Sequence, residues 1–525
     1  MNAAAANRAL AWEVLAALHR TGVKTLCVCP GARNAPLVLA AEAAATRFDR
    51  ISFFEERSAS FFALGRSRRD GGPVAIITTS GTAAAELLPA MLEAVHAGWP
   101  LIAVTADRPR RLRGTGAPQT IDQPSLFISC GIPVIDLDEP SQLGALPPGP
   151  MHLNVCFDEP LVDDEPFALP GDETQAEPSS ETWMDEGEAL ALWEDFFGRV
   201  RNPLVLVSSL TPEEARSVAP WLASLSSPMH LEAVSQLRSH QDLQEFGLQA
   251  GERILLTPEC REACDGFLRI GGVPTPRLWR ELDTDERPIL HVARTNFRGL
   301  ARRSPVVPLT HFRRLAAANV PTGGDNGALL ARDRANAGAL CGFLEEEPCS
   351  EASLVRAASR HFPSNARVML GNSLPLREWD LAAPRDAEDR IFFANRGVNG
   401  IDGLVSTTLG LAGPDRPTAA LLGDLSALYD LAGLWPAAQL AGADLTIAVM
   451  NNGGGKIFDP MFGHRAFLNA HDLRLQGWAE MFGWHYAVAG GPQDPWPQGR
   501  PRLVEILPDP LATQRLADKY AALWR

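Results

Sequence analysis

The segment TAALLGDLSALYDLAGLWPAAQLAGADLTIAVMNNGGGKIF, residues 418 to 458, holds the side chains best suited to chemistry: Asp424 behind Gly423, then Asn451 and Asn452, then a glycine run before Lys456. A carboxylate and an amide present hard oxygen donors. With a backbone carbonyl they suit Mg²⁺, which takes oxygen ligands in octahedral geometry and is commonly completed by phosphate oxygens and water. Asn451 stands 27 positions after Asp424, with Asn452 beside it. Each half is commonplace alone, since Gly-Asp marks ordinary turns and Asn-Asn-Gly ordinary hairpins and caps. Their order, between two strand-like apolar runs, is what points to a cation. A pair of adjacent acids, Glu55 and Glu56 in ISFFEERSASFFALG, follows a strand and opens a helix. Either carboxylate is placed for proton transfer, or for interaction with the helix N-terminus.

These groups need elements that bring strand ends together. The first 160 residues alternate strand-like runs (VKTLCVC, ISFF, PVAIITT, PLIAVTA) with helical stretches, and the block from about Ser350 does the same with RVMLGNS, RIFFANRG, TAALLGD, DLTIAVMNN and LVEIL. Such alternation predicts mostly parallel sheets covered by helices, which bind ligands at the carboxyl edge of the strands. Gly423 is expected to turn the chain tightly there and set Asp424 at the edge. In the first block the corresponding edge residues are Pro30 to Asn34, Glu55 to Arg57, Thr79 to Thr82 and Asp107 to Gln123. A middle block from Glu186 to Arg314 alternates again (PLVLVSS, RILLTP, GFLRIGG, PILHVA) but carries fewer motifs. The acidic, Pro-rich stretch from Val162 to Thr182 reads as a linker and Pro321 to Asn326 as a second hinge. Three α/β domains are therefore expected, over residues 1–180, 185–325 and 345–525. The sequence itself suggests no close internal repeat.

Gly-Asp, a spacing of under thirty residues and Asn-Asn resemble the thiamine diphosphate fingerprint. More broadly, PGARNAPL, FFEERS, TTSGTAAAELLPA, TADRPRRLRGTGAPQTIDQ, GNSLPLREWD, ANRGVNGIDGLVST, GDLSALYDL and NNGGGKIF resemble the 2-succinyl-5-enolpyruvyl-6-hydroxy-3-cyclohexene-1-carboxylate synthase family of menaquinone biosynthesis. The likeness covers the first and third domains well and the middle one weakly. It implies pyrimidine-binding and diphosphate-binding domains of the thiamine diphosphate-binding fold flanking a smaller central α/β domain. It also implies a carboligase that decarboxylates 2-oxoglutarate on thiamine diphosphate and adds the succinyl unit to isochorismate. By that resemblance Asp424, Asn452 and the Gly454 carbonyl hold Mg²⁺ or Mn²⁺, and Glu56 rather than Glu55 is the catalytic acid facing the cofactor's pyrimidine. Ser80, Gly81, Thr82, Gly423, Leu425, Ser426, Ile457 and Phe458 join Glu56 and the metal set around the cofactor, with Ile401 as the apolar wedge between its rings. Arg33, Asn34, Arg108, Gln119, Arg277, Ser373, Arg377 and Arg396 fall on substrate positions; arginine forks suit two carboxylate substrates. A homodimer or homotetramer with active sites at the subunit interface is implied as well. The same fingerprint fits another thiamine diphosphate 2-oxo acid decarboxylase, an acetolactate synthase-like carboligase or a non-catalytic relative.

Two departures stand out. Ala32 occupies a position where the family often has serine, leaving a substrate hydroxyl contact absent or supplied by Asn34. The turn from Gly271 to Leu278 keeps only Arg277 as a basic residue. Composition narrows the alternatives. A net charge of −15 over 525 residues opposes phosphate-tracking nucleic-acid binding. No apolar run approaches the roughly 20 residues of a membrane span. The start MNAAAANRALAWEV lacks a signal-peptide pattern, so a cytoplasmic location is expected. Eight scattered cysteines and eleven histidines without ligand spacing are expected to be structural. Lysine occurs only at 24, 456 and 519, so arginine carries the positive charge and a lone arginine is a weak signal.

Overall fold

A computed structural model describes residues 2–147, 149–167, 182–318, 323–386 and 389–525. The predicted linker lies largely, and the start of the second hinge wholly, outside those residues. Three sheets form, with neighbouring strands parallel throughout. The first joins β1 (Thr25–Val28), β2 (Asp49–Ser52), β3 (Val74–Thr78), β4 (Leu101–Asp107), β5 (Val134–Leu137) and β6 (Met151–Cys156) in the order β2-β1-β3-β4-β6-β5. The second joins β7 (Pro203–Val207), β8 (Met229–Leu231), β9 (Gly266–Ile270), β10 (Ile289–Ala293) and β11 (Val306–Pro308) in the order β11-β10-β9-β7-β8. The third joins β12 (Arg367–Leu370), β13 (Ile391–Phe393), β14 (Thr418–Gly423), β15 (Leu445–Met450), β16 (His485–Ala489) and β17 (Arg502–Ile506) in the order β13-β12-β14-β15-β17-β16.

The first and third sheets share one strand order, a repeat of topology that the sequence does not display. In both, the order reverses beside the first strand, and open parallel sheets bind ligands at that reversal. In the third sheet the reversal sits between β12 and β14, which are followed by Asn372–Ser373 and by Asp424. β3, β4 and β15 read as near-continuous apolar runs because helices cover both faces; these strands and β6, which carries His152 and Asn154, are buried along their whole length. One expected strand is absent: RILLTP forms a 3-10 turn over Glu252–Leu256 that buries Ile254 and Leu255. So short an apolar run fits either form, and the helix start at Thr257-Pro258 fixes its end.

By contact the chain divides into two compact units. The first holds Met1–Glu181 with Asp402–Pro414 and Tyr429–Ala443; the second holds the other two sheets. Within the first, the helix Glu56–Asp70 is buried on nearly all sides and packs on the helix Leu404–Leu411. Glycines allow the approach: a Cβ on Gly65 would lie 2.1 Å from the Thr407 carbonyl oxygen, and one on Gly410 2.1 Å from that of Phe62. Within the second, Ala233 and Val234 enter the apolar core of the third sheet, where the Ala233 N–H donates to Asp380 at 2.7 Å. No helix among the described residues is long and apolar enough to cross a membrane.

Candidate active site

β14 and β15 end in register, Gly423 opposite Met450, so Asp424 and Asn451 leave the sheet side by side. Asp424 opens the helix Asp424–Tyr429 and is 3% exposed. Its Oδ1 accepts the Leu425 N–H at 2.6 Å, and its Oδ2 accepts those of Gly453 and Gly454 at 2.9 and 2.8 Å. Burial pushes the Asp424 pKa up while these donors and His471 pull it down. His471 Nε2 stands 3.4 Å from Oδ2, so one of the histidines expected to be structural does stand at the site.

The two asparagines have separate roles. Asn451 donates to Glu505 at 2.6 Å and to the Leu473 carbonyl at 2.9 Å, which ties the tip of β15 to β17. Asn452 donates through Nδ2 to both carboxylate oxygens of Glu351, at 2.9 and 3.0 Å. Asn452 Oδ1 is buried and accepts no hydrogen bond. An unpaired buried acceptor costs about 1–3 kcal/mol, which a cation beside Asp424 would remove. Gly454 has φ +132°, and a Cβ there would come 2.4 Å from the Leu468 carbonyl oxygen. Its own carbonyl accepts the Lys456 N–H at 2.9 Å and keeps a second lone pair. This donor set fits a hard divalent cation. Gly423 departs from expectation: it is not among the residues with positive φ, so no glycine-only turn is needed. A Cβ there would meet no protein atom within 4 Å and would instead enter the cavity that Gly423 lines.

That cavity, of about 770 Å³, lies in the second unit. Of the expected residues, Ser373, Arg377, Arg396, Ile401, Gly423, Asp424, Leu425, Ser426, Asn452, Gly454, Ile457 and Phe458 line it. Ser373, at φ 75°, precedes the helix Leu374–Ala382, and Arg377 one turn on donates to the Ser373 carbonyl at 2.7 Å. Burial lowers the Arg377 pKa. Arg396 donates to Asn372 Oδ1 at 3.0 Å, and the Asn372 amide nitrogen holds the Asn395 and Gly400 carbonyls at 2.7 Å each. Arg277 is elsewhere: its side chain is 75% exposed and pairs with Glu281 at 3.2 Å, while Arg280 one turn later lines the cavity. Neither Arg280 nor Glu351 carries a motif, and both are absent from the sequence reading. Behind Glu351, burial and the Glu351 carboxylate push the Glu378 pKa well above the carboxylate range.

In the first unit the two adjacent acids differ sharply. Glu55 is the N-cap, accepting the N–H groups of Arg57 and Ser58 at 3.2 and 2.9 Å and the Ser58 hydroxyl besides. Glu56 accepts the Thr78 hydroxyl at 3.5 Å, and burial raises its pKa. The helix is capped by Glu55, while Glu56 stands in its first turn, where its own backbone N–H also bonds its carboxylate. Ser80 Oγ is buried and unpaired, whereas Thr82 is exposed. Gly81, at φ 82°, leaves room for Gln119, whose Cα would lie 3.2 Å from a Cβ there; its N–H donates to the buried Gln123 at 2.8 Å. Gln119 itself is exposed at φ 54°. Arg108 donates to the Pro118 carbonyl at 2.8 Å. Arg33 is buried and donates to the Phe157 carbonyl at 3.1 Å and to Glu159 at 2.8 Å. Asn34 is fully buried, with its amide spent on the Gly31 N–H and the Cys29 carbonyl at 2.8 and 2.9 Å. It shapes the turn and has no face for a substrate. Among the described residues no group of three His, Cys, Asp or Glu side chains is placed to hold a metal ion.

Comparison with known proteins bears directly on this geometry. Residues 9–126 match the thiamine pyrophosphate enzyme, N-terminal TPP binding domain. A 2-succinyl-5-enolpyruvyl-6-hydroxy-3-cyclohexene-1-carboxylate synthase from Bdellovibrio bacteriovorus is 37% identical, over 99% of this chain and 99% of its own. The chain belongs to the 2-succinyl-5-enolpyruvyl-6-hydroxy-3-cyclohexene-1-carboxylate synthase family. A synthase of the same name from Akkermansia muciniphila is 36% identical over 95% of this chain and 96% of its own. A crystal structure from Mycobacterium smegmatis, assigned provisionally to the thiamin diphosphate-dependent enzymes, shares the fold with a TM-score of 0.67 at 18% identity, covering 95% of this chain and 99% of that one. The N-terminal match of this synthase-family chain includes Glu56, Ser80 and Gly81, and thiamine diphosphate is the cofactor its fold binds.

Proposed function

We propose that the protein condenses 2-oxoglutarate with isochorismate, releasing CO₂ and forming 2-succinyl-5-enolpyruvyl-6-hydroxy-3-cyclohexene-1-carboxylate. The observation that carries this reading furthest is the buried, unpaired Oδ1 of Asn452, a residue that lines the same cavity as Asp424. Asp424, Asn452 and the Gly454 carbonyl would hold Mg²⁺ or Mn²⁺, with diphosphate oxygens completing the shell. Thiamine diphosphate, when bound, supplies the carbon nucleophile and electron sink for decarboxylation.

The chain's own residues bind, orient and move protons. Glu56, half-buried and with its pKa raised by burial, holds or releases a proton at its carboxylate oxygen. Ile401 offers an apolar wedge. Arg377, Arg396 and Arg280 supply cations for the carboxylates of both substrates, and Phe458, Met461 and Phe462 give the cavity an apolar, solvent-exposed wall. The reading carries with it a homodimer or homotetramer with active sites at the subunit interface. Its support is the exposed apolar group Phe54 and Trp435, in edge contact at 4.8 Å beside the start of the Glu56 helix. A cytoplasmic location suits this chemistry.

The test is CO₂ release by purified protein with thiamine diphosphate and Mg²⁺. Release from 2-oxoglutarate that rises when isochorismate is added supports the reading; release from pyruvate in preference to 2-oxoglutarate would replace it with an acetolactate synthase-like activity.

A further inference from the structure

Glu351 is the first residue of the helix Glu351–His361, and both of its ends are fixed. Ser350 caps that helix by accepting the Ser353 N–H at 3.3 Å, and the Glu351 N–H donates to the Thr513 hydroxyl at 3.0 Å. The residue is 3% exposed and lines the cavity. Both of its oxygens face the Asn452 amide nitrogen, at 2.9 and 3.0 Å. An asparagine side chain can turn by half a revolution and exchange its oxygen for its nitrogen at little steric cost. A carboxylate only accepts, so it holds the NH₂ end and leaves the oxygen end outward. Asn452 Oδ1, buried without a partner, is the atom left at that end.

The geometry points to Glu351 as the positioning residue that selects which end of the Asn452 amide faces the cation. This rests on the reading above, in which Asn452 Oδ1 is a ligand. Without the bidentate acceptor the amide populates the flipped orientation, which aims two N–H donors at a positive charge. Groups that orient metal ligands in this way typically change affinity by about 10–100-fold when removed.

The experiment measures Mn²⁺ affinity in the presence of thiamine diphosphate, from the electron paramagnetic resonance signal of free Mn²⁺. Glu351→Leu keeps the volume and removes both acceptors; about 10–100-fold weaker Mn²⁺ binding is expected. Glu351→Gln retains one acceptor oxygen and should recover most of that loss. A folded Glu351→Leu protein with wild-type affinity, or Glu351→Gln as weak as Glu351→Leu, overturns the inference. An exchange pair keeps the inference testable should Glu351→Leu not fold. Asn452→Asp opposes two carboxylates and should bind Mn²⁺ poorly, while Glu351→Gln with Asn452→Asp restores a donor–acceptor pair and should rebind it; no recovery overturns the inference. Wild-type protein that takes up no Mn²⁺ sinks the underlying cation site instead, which separates the two failures.

Discussion

Asp424 Oδ2 accepts the backbone N–H of Gly454 at 2.8 Å, so the carboxylate after β14 is bound to the loop after β15 independently of any cation. Gly454 makes this contact at φ +132°, with the Leu468 carbonyl where a Cβ would be. Gly454→Ala is therefore expected to shift the loop, lower the thermal midpoint of the apoprotein, and weaken Mg²⁺-dependent thiamine diphosphate binding roughly 10–100-fold, as for about 1–3 kcal/mol of backbone strain. Gly423→Ala should weaken cofactor binding alone, because its Cβ meets no protein atom. Calorimetric titration beside thermal melts of the apoproteins distinguishes the two.

Glu55 and Glu56 should separate stability from chemistry. Glu56→Gln should lower turnover by about 10²–10⁴-fold with cofactor affinity nearly unchanged. Glu55→Gln should cost about 1 kcal/mol through the weakened cap. Steady-state kinetics and denaturant melts of the two variants provide the check, and undiminished turnover in Glu56→Gln would remove its assigned role.

The contact of the helices Glu56–Asp70 and Leu404–Leu411 should tolerate no added methyl group. Gly65→Ala places a Cβ 2.1 Å from the Thr407 carbonyl oxygen, and a loss of about 1–3 kcal/mol or more is expected. Gly338→Ala, inside the helix Gly327–Glu346 with nothing within 4 Å of its Cβ, should instead stabilise by about 0.5–1 kcal/mol. Chemical denaturation of the two proteins against wild type reads both signs.

Two neighbouring arginines should differ in kinetics. Arg280 lines the cavity, whereas Arg277 forms an exposed pair with Glu281. Arg280→Ala is expected to raise KM for a carboxylate substrate about 10-fold or more, as for loss of a charged hydrogen bond. Arg277→Ala should change it less than about 2-fold, since an exposed ion pair contributes little. Equal effects would mean that the turn is arranged otherwise when substrate binds.

His152 should give a pH-dependent signature. It is fully buried, stacked on Phe127 at 3.8 Å with Nε2 2.7 Å from the Thr105 hydroxyl, and burial pushes its pKa down to about 3. The unfolded chain takes up a proton below about pH 6.5 and the folded chain does not, so this group's contribution is lost as pH falls from 6.5 towards 3. The stability gap between wild type and His152→Gln should shrink by about 1.4 kcal/mol per pH unit on acidification through that window. Paired denaturant melts at pH 6.5 and 5 measure it; a gap that stays constant contradicts it.

Much of the site is legible in the residues because strand ends are local features. The spacing of Asp424 and Asn452 reflects one strand, one crossover and the next strand, and the parallel register makes them neighbours. What escapes is set by contacts between distant segments. Glu351 reaches Asn452 from 101 positions away, from a helix start no motif marks. The shared strand order of the first and third sheets is invisible for a related reason: topology constrains where apolar runs fall, not which residues fill them. Asn34 fails as a substrate residue because a sequence cannot show that its amide is fully buried and bonded within its own turn. Arg277 and Arg280 are one helical turn apart, and only the placement of the helix Leu278–Glu281 decides which of them meets the cavity.

The most direct test is mass spectrometry of the product formed from isochorismate and 2-oxoglutarate carrying ¹³C at the carbons other than C1, with thiamine diphosphate and Mg²⁺ present. The predicted product has the summed mass of the two substrates less CO₂, retains all the label, and forms about 10²–10⁴-fold more slowly with Glu56→Gln. Unlabelled CO₂ with a labelled four-carbon aldehyde as the sole product, or no turnover of 2-oxoglutarate by folded, cofactor-loaded protein, would contradict it.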